Sequence, residues 1–329
     1  MTEPTVKHPD ESEKTAPVTQ TIEGEPLAPV GTVDNTLQAG LDLKVRSQWS
    51  YARNRFLRHR LALFGLFGLI IIFGAGAFAN YVAPYGFAQL DLLNIYAHPT
   101  LHAHHFFGTD DAGRDEFSRV VWGVRTSLEV GVFVAVVSTL IGLFIGAVAG
   151  YYGGLIDNIL MRVTDLVLTL PALAILLAFS ALVGGGSQWT LSFILVGFFW
   201  TGIARVVRGV FLSLREKEYV EAAKASGAGD MRLMFRHILP NTLGPIIVNG
   251  TLAVGTAILT ESALSFLGFG IAPPTPSLGV LVSTAQSSPG KWWLTIFPGL
   301  TIVLIVLFVN FVGDGIRDAL DPTQRRVRA

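Results

Sequence analysis

The chain has 329 residues, 51% of them hydrophobic and 15% charged, against about 25% charged in an ordinary soluble domain. With a mean hydropathy of +0.52 it is too apolar for a soluble globule, and its formal net charge of +0 offers no global basic field to a nucleic acid. Its lack of cysteine excludes a disulfide framework, thiolate catalysis and cysteine metal sites.

Residues 1–44 are rich in Glu, Thr, Pro and Asp and contain no apolar run. They cannot bury enough surface to fold and are expected to be a disordered tail; no apolar stretch follows Met1, so no signal peptide is expected. Residues 45–60, VRSQWSYARNRFLRHR, mix arginines with aromatics. Beside an apolar span this pattern favours an amphipathic helix on the inner membrane surface over a nucleic-acid arm.

Six apolar segments follow, at about 61–81, 130–150, 159–183, 187–211, 241–263 and 292–313. The first two carry no charge across 21 residues each, enough to cross a hydrocarbon core of ~30 Å. Their apolar character is continuous rather than alternating, so helices and not strands are expected. The loop 82–128 between the first two is polar. In it Gly108, Asp110, Asp111, Gly113 and Asp115 favour turns, Arg114 has aspartates to pair with, and Arg125 lies four residues before Glu129. His98, His102, His104 and His105 crowd the same loop. Such spacing suits zinc, copper or nickel, but an ordinary polar loop explains it as well and no metal is assigned.

Arg162 and Asp165 fall one turn apart in the third segment, so a simple pairing of the two competes with a functional reading of Asp165. A Gly184–Gly186 turn separates the third and fourth segments. Asp165 and Glu261 are ionisable groups at or inside span edges, where charge is costly and often functional. With Asn249 and Thr256 they are candidates for lining a path. Thr251, Thr256 and Thr260 also suit hydrogen bonds between helices, and both readings stay open.

The most densely charged interval between spans is residues 215–240. Glu221 to Ala225 are good helix formers, and Gly227 can take the positive φ that ends a short helix. Residues 228–230 are expected to turn, and 231–238 to form a second helical piece closed by Pro240. The hairpin would present small residues on which another protein's groove can close, unless it is simply a surface hairpin. Lys and Arg orient the chain. With the N-terminus inside, 20 of the 24 basic residues fall on the inner side, a strong positive-inside bias. Both termini, the basic tail 323–329 and the 215–240 loop are thus expected in the cytoplasm.

The residues of that loop carry a resemblance. Glu221-Ala222-Ala223, Gly227 and Leu239-Pro240 are spaced as in the EAA loop of ATP-binding-cassette (ABC) importer permeases, with His237 at the usual Ile position, as in the peptide branch. The outer loop resembles the His-x-x-Gly-Thr-Asp-x-x-Gly-Arg-Asp signature of peptide and nickel permeases through His105, Gly108, Thr109, Asp110, Gly113, Arg114 and Asp115. Further matches are Gly150 to Gly154, Ala263 to Gly268 and Gly313 to Pro322; Leu278 departs, standing where Trp is more usual. The resemblance runs from about residue 50 to 322.

It implies an all-α polytopic protein of six transmembrane helices with the type I ABC importer permease fold, in a bacterial inner membrane. It implies half of a translocation pathway for di- or oligopeptides, with nickel, glutathione or another small solute as the alternative. It implies a homologous second permease, two cytoplasmic ATPases and an external solute-binding protein as partners. Glu218, Tyr219, Glu221, Ala222, Ala223, Gly227, Arg236, His237, Leu239 and Pro240 would then form the ATPase-coupling loop. No phosphate-binding loop, Gly-x-Ser-x-Gly elbow or His-Glu-x-x-His occurs. The chain is therefore expected to be non-catalytic and to bind no cofactor, ATP and Mg2+ being used by the partner ATPases. A secondary transporter would instead rely on buried ionisable residues and broken paired spans.

Overall fold

The computed structural model describes residues 48–100, 105–184 and 186–320. The expected tails at 1–44 and 323–329, the start of the basic segment, His102 and His104 lie outside the described residues. Among the described residues the chain is all-α; two isolated backbone bridges, Thr109 with Asp115 and Gly186 with Ile271, are its only extended pairings.

The basic segment forms α1 (Gln48–Phe56), followed by α2 (Arg60–Ala77) and the single turn α3 (Ala79–Val82). His59 caps α2, its Nδ1 accepting from the Ala62 amide at 3.0 Å. Next comes α4 (Glu116–Tyr152), 37 residues long and so roughly 55 Å at the helical rise. It contains the expected 130–150 span and also the end of the expected loop. The reason is Asp115, whose carboxylate accepts from the Ser118 amide at 2.7 Å and starts the helix early.

The third span is not the straight helix expected over 159–183. It is two helices, α5 (Gly154–Thr169) and α6 (Ala172–Val183), bent by 82°. Pro171 lacks an amide and pushes Leu170 into extended backbone, with φ −72° and ψ 138°. Then α7 (Gln188–Arg215) and the short α8 (Glu218–Ala225) lead to α9 (Asp230–Arg232). Pro240 does not end a separate helical piece there. The helix passes through a π-helical turn, Leu233–Ile238, straight into α10 (Leu239–Phe266). The Leu239 amide reaches back five residues to the Met234 carbonyl, and a turn widened this way admits a proline without its ring meeting the carbonyl below. A short helix α11 (Leu278–Ala285) precedes α12 (Trp292–Leu320).

Small residues set the helix spacing. Gly142, Gly146 and Gly150 form one stripe on α4 that lies directly on α7. A Cβ on Gly146 would stand 2.5 Å from the Ala204 carbonyl oxygen, and one on Gly150 2.6 Å from the Phe211 Cβ. Gly131 admits Ile258 of α10 in the same way, and Gly68 of α2 admits the Phe308 ring of α12. Around these contacts Val130, Val134, Leu176, Leu195 and Leu264 form one buried cluster. At the α8 end Phe211, Val220, Leu233, Met234 and Ile246 form another.

Candidate coupling surface and groove

An isolated helix of eight residues is not stable in water, so α8 must be held by its surroundings. Val220 is 3% exposed and packs with Leu233 and Met234, with Ala223 and Ala228 against the same cluster; burying a valine contributes about 1.5–3 kcal/mol. Glu218 and Glu221 sit in the first turn, where the helix dipole favours negative charge. The far end closes on Gly227 at φ +82°. Its amide donates to the Lys224 carbonyl at 3.0 Å and the Ala228 amide to the Ala223 carbonyl at 3.1 Å. Those two bonds are the Schellman arrangement, which needs a left-handed residue at Gly227. With its inner side committed, α8 turns Glu218, Tyr219, Glu221, Ala222, Ala225 and Gly227 to the exterior.

The neighbouring end of the bundle is strapped by polar contacts. The Tyr151 hydroxyl donates to Asp230 at 2.7 Å, joining the end of α4 to the start of α9. Arg215 donates to the Gly150 and Tyr151 carbonyls at 3.3 and 3.2 Å. The Asn241 amide donates to the His237 carbonyl at 2.7 Å and to the Tyr219 hydroxyl at 3.4 Å. Arg236 and Pro240 are exposed, while His237 and Leu239 are half-buried.

The residues picked for a path divide. Asp165 does not pair with Arg162; it accepts from Arg205 of α7 at 2.6 Å, and the pair is half-exposed. Glu261 is fully buried. It accepts from Ser127 of α4 at 3.0 Å and from Ser265 at 2.7 Å, beside Ser262 and Ser277 at the α4–α10–α11 junction. Thr251, Thr256 and Thr260 make no hydrogen bond between helices. Each donates to the carbonyl four residues back, as the Asn249 amide does to Pro245. Thr256 and Thr260 nevertheless line a groove of about 400 Å³ in the α5–α6 bend. Leu168, Leu173, Phe198 and Leu259 are among its other walls.

At the opposite end the outer-loop motif is a buried knot. Asp110 accepts from the Ala112 and Arg114 amides at 2.9 and 2.8 Å, from Arg114 Nε at 2.7 Å and from Arg119. His105 Nδ1 lies 2.9 Å from Asp115 and its ring stacks on Tyr85. Gly108, at φ +79°, lets the loop press on Ala97 and Trp293, and Trp293 Nε1 donates to the Thr109 carbonyl at 3.2 Å. Gly113 leaves the space that the Asp91 carbonyl enters. The Asn94 amide, 2.8 Å from Asp91, holds that carboxyl below its ordinary pKa. His98 packs on Trp293 and not toward His105. Leu278, the departure from the family pattern, is fully buried among Val120, Val124 and Leu281.

This knot makes a stability prediction. Asp110→Asn leaves the Arg119 guanidinium, whose side chain is 7% exposed, without its main counter-charge. The expected loss is about 3–5 kcal/mol, read as a lower melting temperature of the detergent-purified protein. Asp111→Asn, at a side chain 60% exposed, should change it by less than about 0.5 kcal/mol.

Among the described residues five helices are long and apolar enough to cross a membrane, or six where the bent α5–α6 pair is counted as one span; the chain is a multi-pass membrane protein. The family model of the binding-protein-dependent transport system inner membrane component matches residues 142–326. The N-terminal transmembrane domain of oligopeptide transport permease C matches residues 47–99. The chain therefore belongs to the inner-membrane permease family of binding-protein-dependent transport systems. Among curated relatives, it is 40% identical over 286 residues to the dipeptide transport system permease protein DppC of Alkalihalophilus pseudofirmus, covering 85% of this chain and 91% of that protein. It is 41% identical to the protein of the same name in Bacillus subtilis, over 85% of this chain and 88% of that one. It is 38% identical to the oligopeptide transport system permease protein OppC of Mycobacterium bovis, over 83% and 94%.

Proposed function

We propose that this protein is one of two homologous permease subunits of an ATP-driven importer for di- and oligopeptides in a bacterial inner membrane. It contributes half of the pathway and is itself non-catalytic. The carrying observation is α8, an eight-residue helix fixed from below by Val220 and closed by Gly227, with Ala222, Ala225 and Gly227 exposed. The peptide substrate follows from the names of the relatives. Two cytoplasmic ATPases using ATP and Mg2+ would grip α8, and an external binding protein would deliver peptide to the opposite end.

The route of coupling is mechanical. Val220 and Ala223 pack on Leu233 and Met234, which open the same continuous helix whose later turns carry Thr256, Leu259 and Thr260 of the groove. Closure of the ATPases on ATP would move α8, and with it that helix; alternation between inward and outward openings follows without any reacting side chain.

The sidedness has a direct test on this cysteine-free background. Ser226→Cys at the end of α8 should be inert to a membrane-impermeant maleimide in intact cells and react once the cells are opened. Ser187→Cys, exposed ahead of α7, should react from outside. Labelling of Ser226→Cys in intact cells removes the ATPase contact from the proposal.

A further inference from the structure

On α7, Phe198 and Thr201 line the groove in the α5–α6 bend, and Arg205 follows them on the same helical stripe, at the spacing i, i+3, i+7. On α5, Leu168 lines the groove and Asp165 is one turn before it. The Arg205–Asp165 pair thus stands at the end of a largely apolar groove whose polar lining residues are Thr201, Thr256 and Thr260. Further along lies a second pair, Arg208, about one turn on along α7, with Asp157, about two turns back along α5.

The two pairs differ in kind. Arg208 grips Asp157 through both Nε and NH2, and the aspartate side chain is 12% exposed. That is a strap between helices. Arg205 reaches Asp165 through a single NH2 contact at 2.6 Å, with the two side chains 52% and 47% exposed. Its remaining guanidinium nitrogens and the other carboxylate oxygen make no further hydrogen bond among the described residues, and Arg208 lies within electrostatic reach of Asp165. An exposed pair of this kind contributes little to stability and separates cheaply. Each half can then make a charge-assisted bond to a ligand of opposite charge.

We propose that the Arg205–Asp165 pair is a binding station for zwitterions: Asp165 receives the α-ammonium group of a peptide and Arg205 its α-carboxylate, while the apolar groove accepts side chains without selecting among them. The proposal rests on the reading of the groove as a peptide path. A charged pair here would let a substrate with two full charges leave water against protein charges rather than against leucines.

The test uses the assembled importer in proteoliposomes, with its binding protein saturated by labelled alanyl-alanine. Uptake and ATP hydrolysis are measured together. Asp165→Asn and Arg205→Gln should each lower uptake about tenfold, the value of one charge-assisted bond, with binding-protein-stimulated hydrolysis held within about twofold. The double variant should be no better than the worse single one. Unchanged uptake, a parallel fall of uptake and hydrolysis, or recovery in the double variant, as a mere strap would show, each overturns the proposal. If the neutral variants do not accumulate, Asp165→Glu and Arg205→Lys are read by the same ratio, and parental uptake per ATP in both overturns it. Leu173→Trp, which fills the groove, checks the underlying reading separately. Parental uptake in that variant, or no alanyl-alanine uptake by the parent, counts against the path itself.

Discussion

Ala222→Asp is expected to abolish transport while the protein reaches the membrane at its normal level. Ala222 is exposed on α8 and packs against nothing that holds the helix; Val220, Ala223 and Ala228 do that. The helix itself loses at most about 0.7 kcal/mol of propensity. In a docked cleft the new carboxylate is buried without a partner beside Glu218 and Glu221, which costs about 2–5 kcal/mol of binding. That corresponds to a loss of roughly 30- to 5,000-fold in ATPase affinity. Gly227→Asp should behave alike. A Cβ there meets no atom within 4 Å, so the defect is the φ of +82°, about 1–2 kcal/mol, together with the added charge. The measurement is uptake and co-purification of the ATPases at matched membrane abundance. Transport at the parental rate in both variants reduces α8 to an ordinary surface hairpin.

The second large effect is one of assembly. In Gly146→Leu the side chain must enter where the Ala204 carbonyl is 2.5 Å and the Val207 Cβ 2.8 Å from an added Cβ. Backbone atoms cannot swing aside like a flexible side chain, so α4 and α7 must part along the whole Gly142–Gly146–Gly150 stripe. The cost belongs at or above the upper end of overpacking penalties, about 3 kcal/mol. Membrane abundance should fall several-fold and the melting temperature should drop; Gly146→Ala should be intermediate. Gly202→Ala, at a glycine of α7 with open space around it, should be indistinguishable from the parent. Equal abundance of Gly146→Leu and parent would mean that these helices are not locked together at the glycines.

What was legible in the sequence was whatever is written along one dimension. Uninterrupted apolar runs long enough to cross a bilayer exposed the spans, and a glycine after five good helix formers exposed the end of α8. The bend at Pro171 was legible too, since a proline in mid-span disfavours helix at Leu170, but continuous hydropathy hid it. Gly142, Gly146 and Gly150 at intervals of four were an equally readable packing signal. Pairings across the fold were not legible. Asp165 chose Arg205, 40 positions away, over Arg162, and Glu261 found Ser127, 134 positions away. A helix fixes only which residues share its face, and the facing helix decides the partner. Pro240 misled for a related reason: the rule that proline ends a helix assumes an ordinary turn beneath it, and the π-helical turn removes that condition.

The buried Glu261 cluster gives the helix that begins at Asp230 a pivot. Ser127 and Ser265 fasten that point to its surroundings, whereas the other end carries α8 through Leu233 and Met234. From Glu261 back to Leu233 is roughly 42 Å, and back to Thr256 roughly 7.5 Å, at the helical rise. The π-helical turn Leu233–Ile238 and Pro245 both interrupt the helix between those points, and such interruptions are where helices bend. Motion entering at α8 therefore has two places to bend the helix before it reaches the groove at Thr256, close to the anchored Glu261.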